Sequence, residues 1–429
     1  MGSALVTYLG ELRTHWRPLA AATAGLSVGL SLSAYTNAAM GPQLLAAFGW
    51  DRADFALTGT IALLTFVFLP LCGRLTDLFG VRRIAIVGVV GLPLCWIGYA
   101  LMSGSLWQYF AITAATVSLG VTTTPAIYSR IVAACFSQAR GLALAVAISG
   151  PPLLGAIGVP VVDAINRAYG WRAGCVAIAV TIAAIGALAM ALIPATDANA
   201  RSGARERRAA TDYRAIAGSG VFWILMTGVL LCNLYHSVTT SQLGIMLRDS
   251  MPDGQTVAVL VSTFAVAVIA GRFICGVALD RLPPHLVAAV AMALPGLGCV
   301  LLASSLDGFP ALVLAVCCLG AAWGAEGDVI AYLVARRFDM SVYSTVLSIL
   351  SAAIGVSSAL GALVLSRMLH ATDSFDGFLV LSGIAAFLGG AALLLLGRQP
   401  AAVAGRLIRS EAPGRTPDAP DPGVPEPRP

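Results

Sequence analysis

The chain contains no lysine: all 26 of its basic residues are arginines. A Walker-type phosphate loop needs its lysine, and imine chemistry at a side chain needs one too, so both are excluded. Charge of either sign is scarce. Only 11% of the 429 residues are charged, against about 25% in a soluble domain. Four histidines are present, none in a His-Glu-x-x-His arrangement, which removes the zinc-protease reading. The nine cysteines (72, 95, 135, 175, 232, 275, 299, 317 and 318) fall in or beside apolar stretches. Their spacing suggests neither a metal site nor a disulfide frame, so they read as buried thiols, and no cofactor is expected. The N-terminus shows no short apolar core with a small-residue cleavage site. Residues 19–40 therefore read as a retained helix and not as a signal peptide.

What the chain has is apolar sequence. Hydrophobic residues make up 58% of it, and its mean hydropathy is +0.86. A bilayer core takes about 20 consecutive apolar residues per helix. Twelve such spans are expected, at 19–40, 54–78, 84–102, 107–136, 141–166, 173–194, 220–247, 256–279, 286–305, 309–336, 343–369 and 376–397. The expected organisation is a polar N-terminus (1–18), a six-helix bundle (19–194), a polar inter-bundle loop (195–219), a second six-helix bundle (220–397) and a proline-rich, disordered tail (398–429). An even number of spans puts both termini on one side. Nineteen arginines flank that face and five the other, so the positive-inside rule places both termini in the cytoplasm, with the chain in the inner membrane. The net charge of +5 follows from this topology and implies no nucleic acid. Arg130 and Arg272 lie within spans. Arg130 is expected to snorkel to the cytoplasmic interface.

The two halves repeat. "CGRLTD" at 72–77 faces "CGVALD" at 275–280 with an offset of 203. Tyr35 faces Tyr235, Leu119-Gly120 faces Leu319-Gly320, and "AIGV" occurs at 156 and again at 353. A nearly constant offset kept in chain order indicates parallel six-span repeats about an axis along the membrane normal.

"GRLTDLFGVRR" at 73–83 carries Gly73, Asp77, Gly80, Arg82 and Arg83. Gly73 permits close helix contact, Asp77 sits near the N-terminus of the next helix, Gly80 allows a tight turn, and the two arginines hold the loop inside. The pattern resembles the loop signature of the major facilitator superfamily. The second copy keeps Gly276, Asp280 and Arg281 and replaces the rest with Pro283-Pro284. The resemblance implies an all-α membrane protein of two pseudo-symmetric bundles. "TTPAIYSRIVAACFSQARGLALAVAISGPPLLGAIG" (123–158) and "IAGRFICG" (269–276) are similar to spans 4–5 and 8 of the monocarboxylate porter and oxalate/formate antiporter group. In that group an intramembrane arginine binds the substrate carboxylate, and on the match Arg272 takes that role. The chain departs from the group at Val268, where an acid is common, and in having no span 11 lysine.

Span 10 holds two carboxylates, Glu326 and Asp328. Ionised and facing lipid, they would together cost roughly 5–7 kcal/mol, so they face protein or water. Arg272 and Glu326 lie 16 and 17 residues into their spans, at nearly equal depth. Asp328 lies about 200° round the helix from Glu326, so one of the two acids is expected to pair with Arg272 while the other faces another helix or the pore. His236, with Tyr235 and Asn233, is mid-span in helix 7, and Tyr35 and Asn37 are its symmetry-related candidates. A lone histidine there also fits a plain helix–helix hydrogen bond. Pro125 and Pro151-Pro152 are expected to break helices 4 and 5.

The expected function is secondary transport of a small organic anion, a monocarboxylate by the resemblance, through alternating access by a monomer. Arg272, Tyr35, Asn37, Tyr235 and His236 would hold the anion, and Glu326 and Asp328 would carry a co-transported proton. The alternative is drug or metabolite efflux, or anion exchange without protons. An intramembrane enzyme is disfavoured. "GAEGD" at 324–328 has Ala325 where the aspartyl-protease motif needs glycine, and Gly-x-Ser-x-Gly at 25–29 lies inside a span, where small residues pack helices.

Overall fold

The structure, a computed structural model, describes residues 8, 10–32, 40, 43–45, 47–50, 61, 63–193, 209–239, 243, 246–247, 254–304, 308–372 and 374–398. Tyr35, Asn37, most of the inter-bundle loop and the tail beyond 398 lie outside them. Among the described residues the regular structure is helical, as hydrocarbon demands of a chain whose backbone groups find no water. Nine helices there are long and apolar enough to cross a membrane. They correspond to expected spans 3–6 and 8–12. Spans 1, 2 and 7 are represented by α1 (Trp16–Ser27), α2 (Leu64–Phe79) and, later in the chain, α10 (Gly220–Cys232).

After α3 (Val81–Leu101), span 4 is broken as its proline requires. α4 (Leu106–Gly120) gives way to a single 3₁₀ turn, Val121–Thr123, and α5 (Pro125–Cys135) starts afresh. Thr124, ahead of the proline, is extended (φ −85°, ψ 167°), the conformation that a following proline ring imposes. The hydroxyls of Thr122, Thr123 and Thr124 fold back onto the carbonyls of Leu119, Gly120 and Val121, satisfying acceptors that the break leaves open. Span 5 divides at Ser149 into α6 (Arg140–Ile148) and α7 (Gly150–Tyr169). α8 (Trp171–Leu192) closes the first half, and α9 (Ala209–Ala217) lies in the inter-bundle segment. The second half continues with α11 (Gly254–Arg281), α12 (Pro284–Leu302), α13 (Phe309–Arg337), α14 (Tyr343–Thr372) and α15 (Asp376–Leu394).

The two most extensive helix pairs between the halves are α2 with α14 and α11 with α6, beside smaller contacts of α13 with α5 and α6 and of α14 with α5, and the repeat offset read from the sequence relates the two main pairs. Asp77, near the end of α2, accepts the N–H groups of Ser344 and Thr345 at the start of α14, at 3.0 and 2.7 Å. Asp280, near the end of α11, accepts those of Gly141 and Leu142 at the start of α6, at 2.6 and 3.0 Å. Each carboxylate thus satisfies orphan donors and complements the positive end of a helix in the other half. The glycines one turn earlier make the approach possible. A Cβ on Gly73 would overlap the Ser344 carbonyl, and one on Gly276 would meet the Gly141 carbonyl at 2.7 Å.

Asp77, which the sequence sets just ahead of α3, thus serves a helix 267 residues away. These contacts correct the expectation for Arg130, which does not snorkel. Arg130 is buried and forms an ion pair with Asp77. Its hydrophobic stem would have reached the interface in an isolated helix, but a fully buried carboxylate nearby gives the charge a better partner than water. Arg74, two residues into the same loop motif, pairs with Asp212 of α9 at 2.6 Å and so ties the inter-bundle helix to the first half. Arg82 and Arg83 are exposed and border a surface hollow with Met190.

The residues before α1 strap the same end of the molecule. Glu11 accepts the backbone N–H groups of Ser137, Gln138 and Ala139 at 2.7, 2.9 and 2.7 Å. Burial alone would raise the Glu11 carboxyl, but these donors outweigh it and hold it below the usual carboxylate range. The strap is therefore complete at neutral pH and is lost as the pH falls through that depressed value. Tyr8 donates to Asp280 at 3.0 Å, and Arg281 lies 5.9 Å from the centre of its ring. Burial and the adjacent Asp280 carboxylate push the Tyr8 phenol above its usual value, keeping it a neutral donor.

Candidate functional site

α11 and α13 cross in backbone contact. A Cβ on Gly324 would overlap the Val268 carbonyl, and one on Gly271 would overlap the Ala321 backbone. Small residues let two membrane helices approach this closely, and the approach brings Arg272 onto α13. Its Nε donates to the Gly324 carbonyl at 3.0 Å, and Nη1 reaches the Ile148 carbonyl of α6, in the other half, at 2.8 Å. Nη2 has no hydrogen-bond partner among the described residues. Arg272 thus sits where the two halves meet.

The structure shows which acid lies beside Arg272. Asp328, not Glu326, is the neighbour of Arg272, with Oδ2 3.6 Å from Nε. Glu326 takes His236 instead, Oε2 to Nε2 at 2.9 Å. Depth along the helix placed either acid correctly, but the direction each faces depends on how α13 is rotated. Close glycine packing turns Asp328 toward α11 and leaves Glu326 facing the stretch after α10. The Asp328 side chain has 0% exposure, yet neither of its oxygens accepts a hydrogen bond among the described residues. Its contact with Arg272, at 3.6 Å, is too long for a hydrogen bond.

α10 ends at Cys232, and Asn233 (φ −108°, ψ 5°) opens an irregular turn. Asn233 Nδ2 donates to the Val229 carbonyl at 2.8 Å, supporting the broken end. This turn presents His236, whose ring stacks on Trp323 with centroids 4.2 Å apart and planes 9° from parallel. Tyr235 stands edge-on to it at 5.0 Å and is buried in the apolar cluster around Leu247 and Leu260. Arg272, Asp328, Glu326, His236 and Tyr235 therefore converge on α13. The loop-motif residues Gly73, Asp77, Gly80, Arg82, Arg83, Gly276, Asp280 and Arg281 gather at the end where Asp77 and Asp280 hold the opposite half. Trp323 and the Ile148 carbonyl were not foreseen. The aromatic signal at 323 stood beside the acids in the sequence, and Pro152 announced an unpaired carbonyl four residues before it.

The sequence profile of the Major Facilitator Superfamily matches residues 19–325. The chain belongs to this superfamily. It is accordingly a multi-pass membrane transporter of the two-bundle fold. The solved structures it resembles include the E. coli fucose:proton symporter (14% identity, TM-score 0.68, covering 90% of this chain and 98% of that one). A bacterial homologue of the iron transporter ferroportin, in an outward-facing state, has 15% identity, a TM-score of 0.70 and coverage of 90% and 99%. The proton:xylose symporter bound to 6-bromo-6-deoxy-D-glucose has 14% identity, a TM-score of 0.64 and coverage of 90% and 95%. At these identities the likeness is one of fold. No curated protein sequence matches the chain.

Proposed function

We propose that the chain is a secondary transporter of a small organic anion, of the monocarboxylate class, working by alternating access with its termini in the cytoplasm. The observation that carries this reading is Arg272. It is a guanidinium at mid-membrane, between the halves, with its side chain 11% exposed. A planar fork with a free arm suits a carboxylate. Asp328 supplies the proton partner. When an anion takes Arg272, Asp328 loses its counter-charge, and a buried carboxylate without one is neutralised by a proton. The anion and the proton then move together. Glu326, engaged by His236, is the second acid of the site. The test is uptake by proteoliposomes offered a panel of short monocarboxylates, dicarboxylates and neutral sugars, with and without an inward proton gradient. Saturable uptake confined to the carboxylates and raised by the gradient is expected. Uptake of the neutral compounds alone removes Arg272 from an anion site.

The orientation is tested separately. Gln138 and Ser103 are exposed residues at opposite ends of the bundle. With the native cysteines replaced, Ser103→Cys should react with a membrane-impermeant maleimide on intact cells, and Gln138→Cys only after lysis. The reverse pattern overturns the arginine-based assignment.

A further inference from the structure

The Ser149–Pro152 stretch exposes an acceptor that the helix itself cannot fill. A helical carbonyl is satisfied by the N–H four residues on, and Pro152 has none. The Ile148 carbonyl is therefore orphaned. One residue later the ladder is intact, with the Leu153 N–H donating to the Ser149 carbonyl at 3.2 Å. A buried carbonyl requires a partner. The partner here is Arg272 Nη1, from the other half, at 2.8 Å.

Residues 272, 276 and 280 of α11 are spaced by four and share one face. That face meets α6. Asp280 holds Gly141 and Leu142, Gly276 lies against the Gly141 carbonyl, and Arg272 holds Ile148. From the start to the end of α6 is about 12 Å, so the Arg272 contact is the innermost rung of a ladder that begins at Asp280.

We propose that Pro152 is a positioning residue: it frees the Ile148 carbonyl to dock Arg272, and a carboxylate arriving at Arg272 releases that dock and unlocks the innermost rung between the halves. This rests on the reading of Arg272 as the anion site. Without an anion, the guanidinium donates to two neutral carbonyls, Gly324 in its own half and Ile148 in the other, with Asp328 of its own half 3.6 Å away. A carboxylate makes hydrogen bonds about twice as strong as a neutral carbonyl does, so it displaces the weaker acceptor. Arg272 then remains attached to its own half only.

Pro152→Ala returns an N–H to position 152, lets the helix satisfy Ile148 internally and removes the dock. The measurement is the distance between spin labels at Gln138→Cys and Leu282→Cys, in opposite halves, on the purified full-length protein with native cysteines replaced. Without anion, the substitution should raise the open-to-closed ratio about tenfold, the worth of one hydrogen bond to a charged group. L-lactate should raise the ratio in the parent and add little in the variant. Alanine also changes the bend of span 5, so the substitution is repeated in an Arg272→Met background, where it should add less than about twofold if it acts through Arg272. Equal opening in both backgrounds, or none with Arg272 present, overturns the dock. Arg272→Met alone must open the same end, and its failure to do so overturns the dock whether or not Pro152→Ala folds. If the two substitutions are coupled but lactate leaves the parent unchanged, the dock stands, and the carboxylate reading and its release step fall.

Discussion

Arg272→Lys should give a folded, membrane-inserted protein whose carboxylate uptake has fallen about 10–100-fold, the loss of one charge-assisted hydrogen bond worth roughly 1.5–3 kcal/mol. Lysine keeps the positive charge beside Asp328, so the buried acid is not stranded and folding is spared. What it lacks is the fork. Arg272 meets Gly324 through Nε and Ile148 through Nη1, and still has Nη2 for an anion. An ammonium on a flexible stem offers no fixed plane to present two parallel donors to a carboxylate. Arg130→Lys is the comparison. Arg130 pairs with Asp77, where α2 meets α14 and away from the candidate site, so its replacement should disturb opening and closing without changing which anions compete for uptake. Near-normal uptake in Arg272→Lys, across the carboxylate panel, would remove Arg272 from substrate binding.

Asp328→Asn should abolish accumulation driven by a proton gradient and retain exchange of labelled for unlabelled anion across a symmetric membrane. Asparagine resembles the protonated acid, the form expected when substrate has drawn Arg272 away. A transporter fixed in that form can carry the anion in either direction but cannot couple it to a proton. A purely structural pair predicts something else. Asp328 is fully buried, and removing its charge would leave Arg272 unpaired at a cost of about 3–5 kcal/mol, read as lost monodisperse protein. Both activities must therefore be measured on one purified sample. Survival of both excludes Asp328 as the coupling site, and failure to purify a folded protein assigns the pair to structure. Glu326→Gln is made alongside. It leaves Arg272–Asp328 intact and His236 stacked on Trp323, so it should keep gradient-driven uptake. Its loss would move the coupling to the His236–Glu326 pair.

The fold was legible because hydrocarbon allows so few solutions. Long apolar runs had to be helices. The near-constant offset between Gly73–Asp77 and Gly276–Asp280 implied two related halves, and Pro125 and Pro151-Pro152 marked where helices 4 and 5 break. The presence of a charged centre on α13 was legible too, since Glu326, Asp328 and Arg272 could not face lipid. Partners were another matter. Sequence spacing fixes how deep a residue lies in its span but not the rotation of one helix against another. Only the packing of Gly271 and Gly324 decided that Asp328 meets Arg272 while Glu326 meets His236. The same holds for Asp77, whose partners Ser344, Thr345 and Arg130 lie far along the chain. Composition and periodicity determine which groups must be buried, because burial is a property of each residue and the solvent around it. Which buried charge answers which is a property of two helices at once, and it was settled only where their surfaces meet.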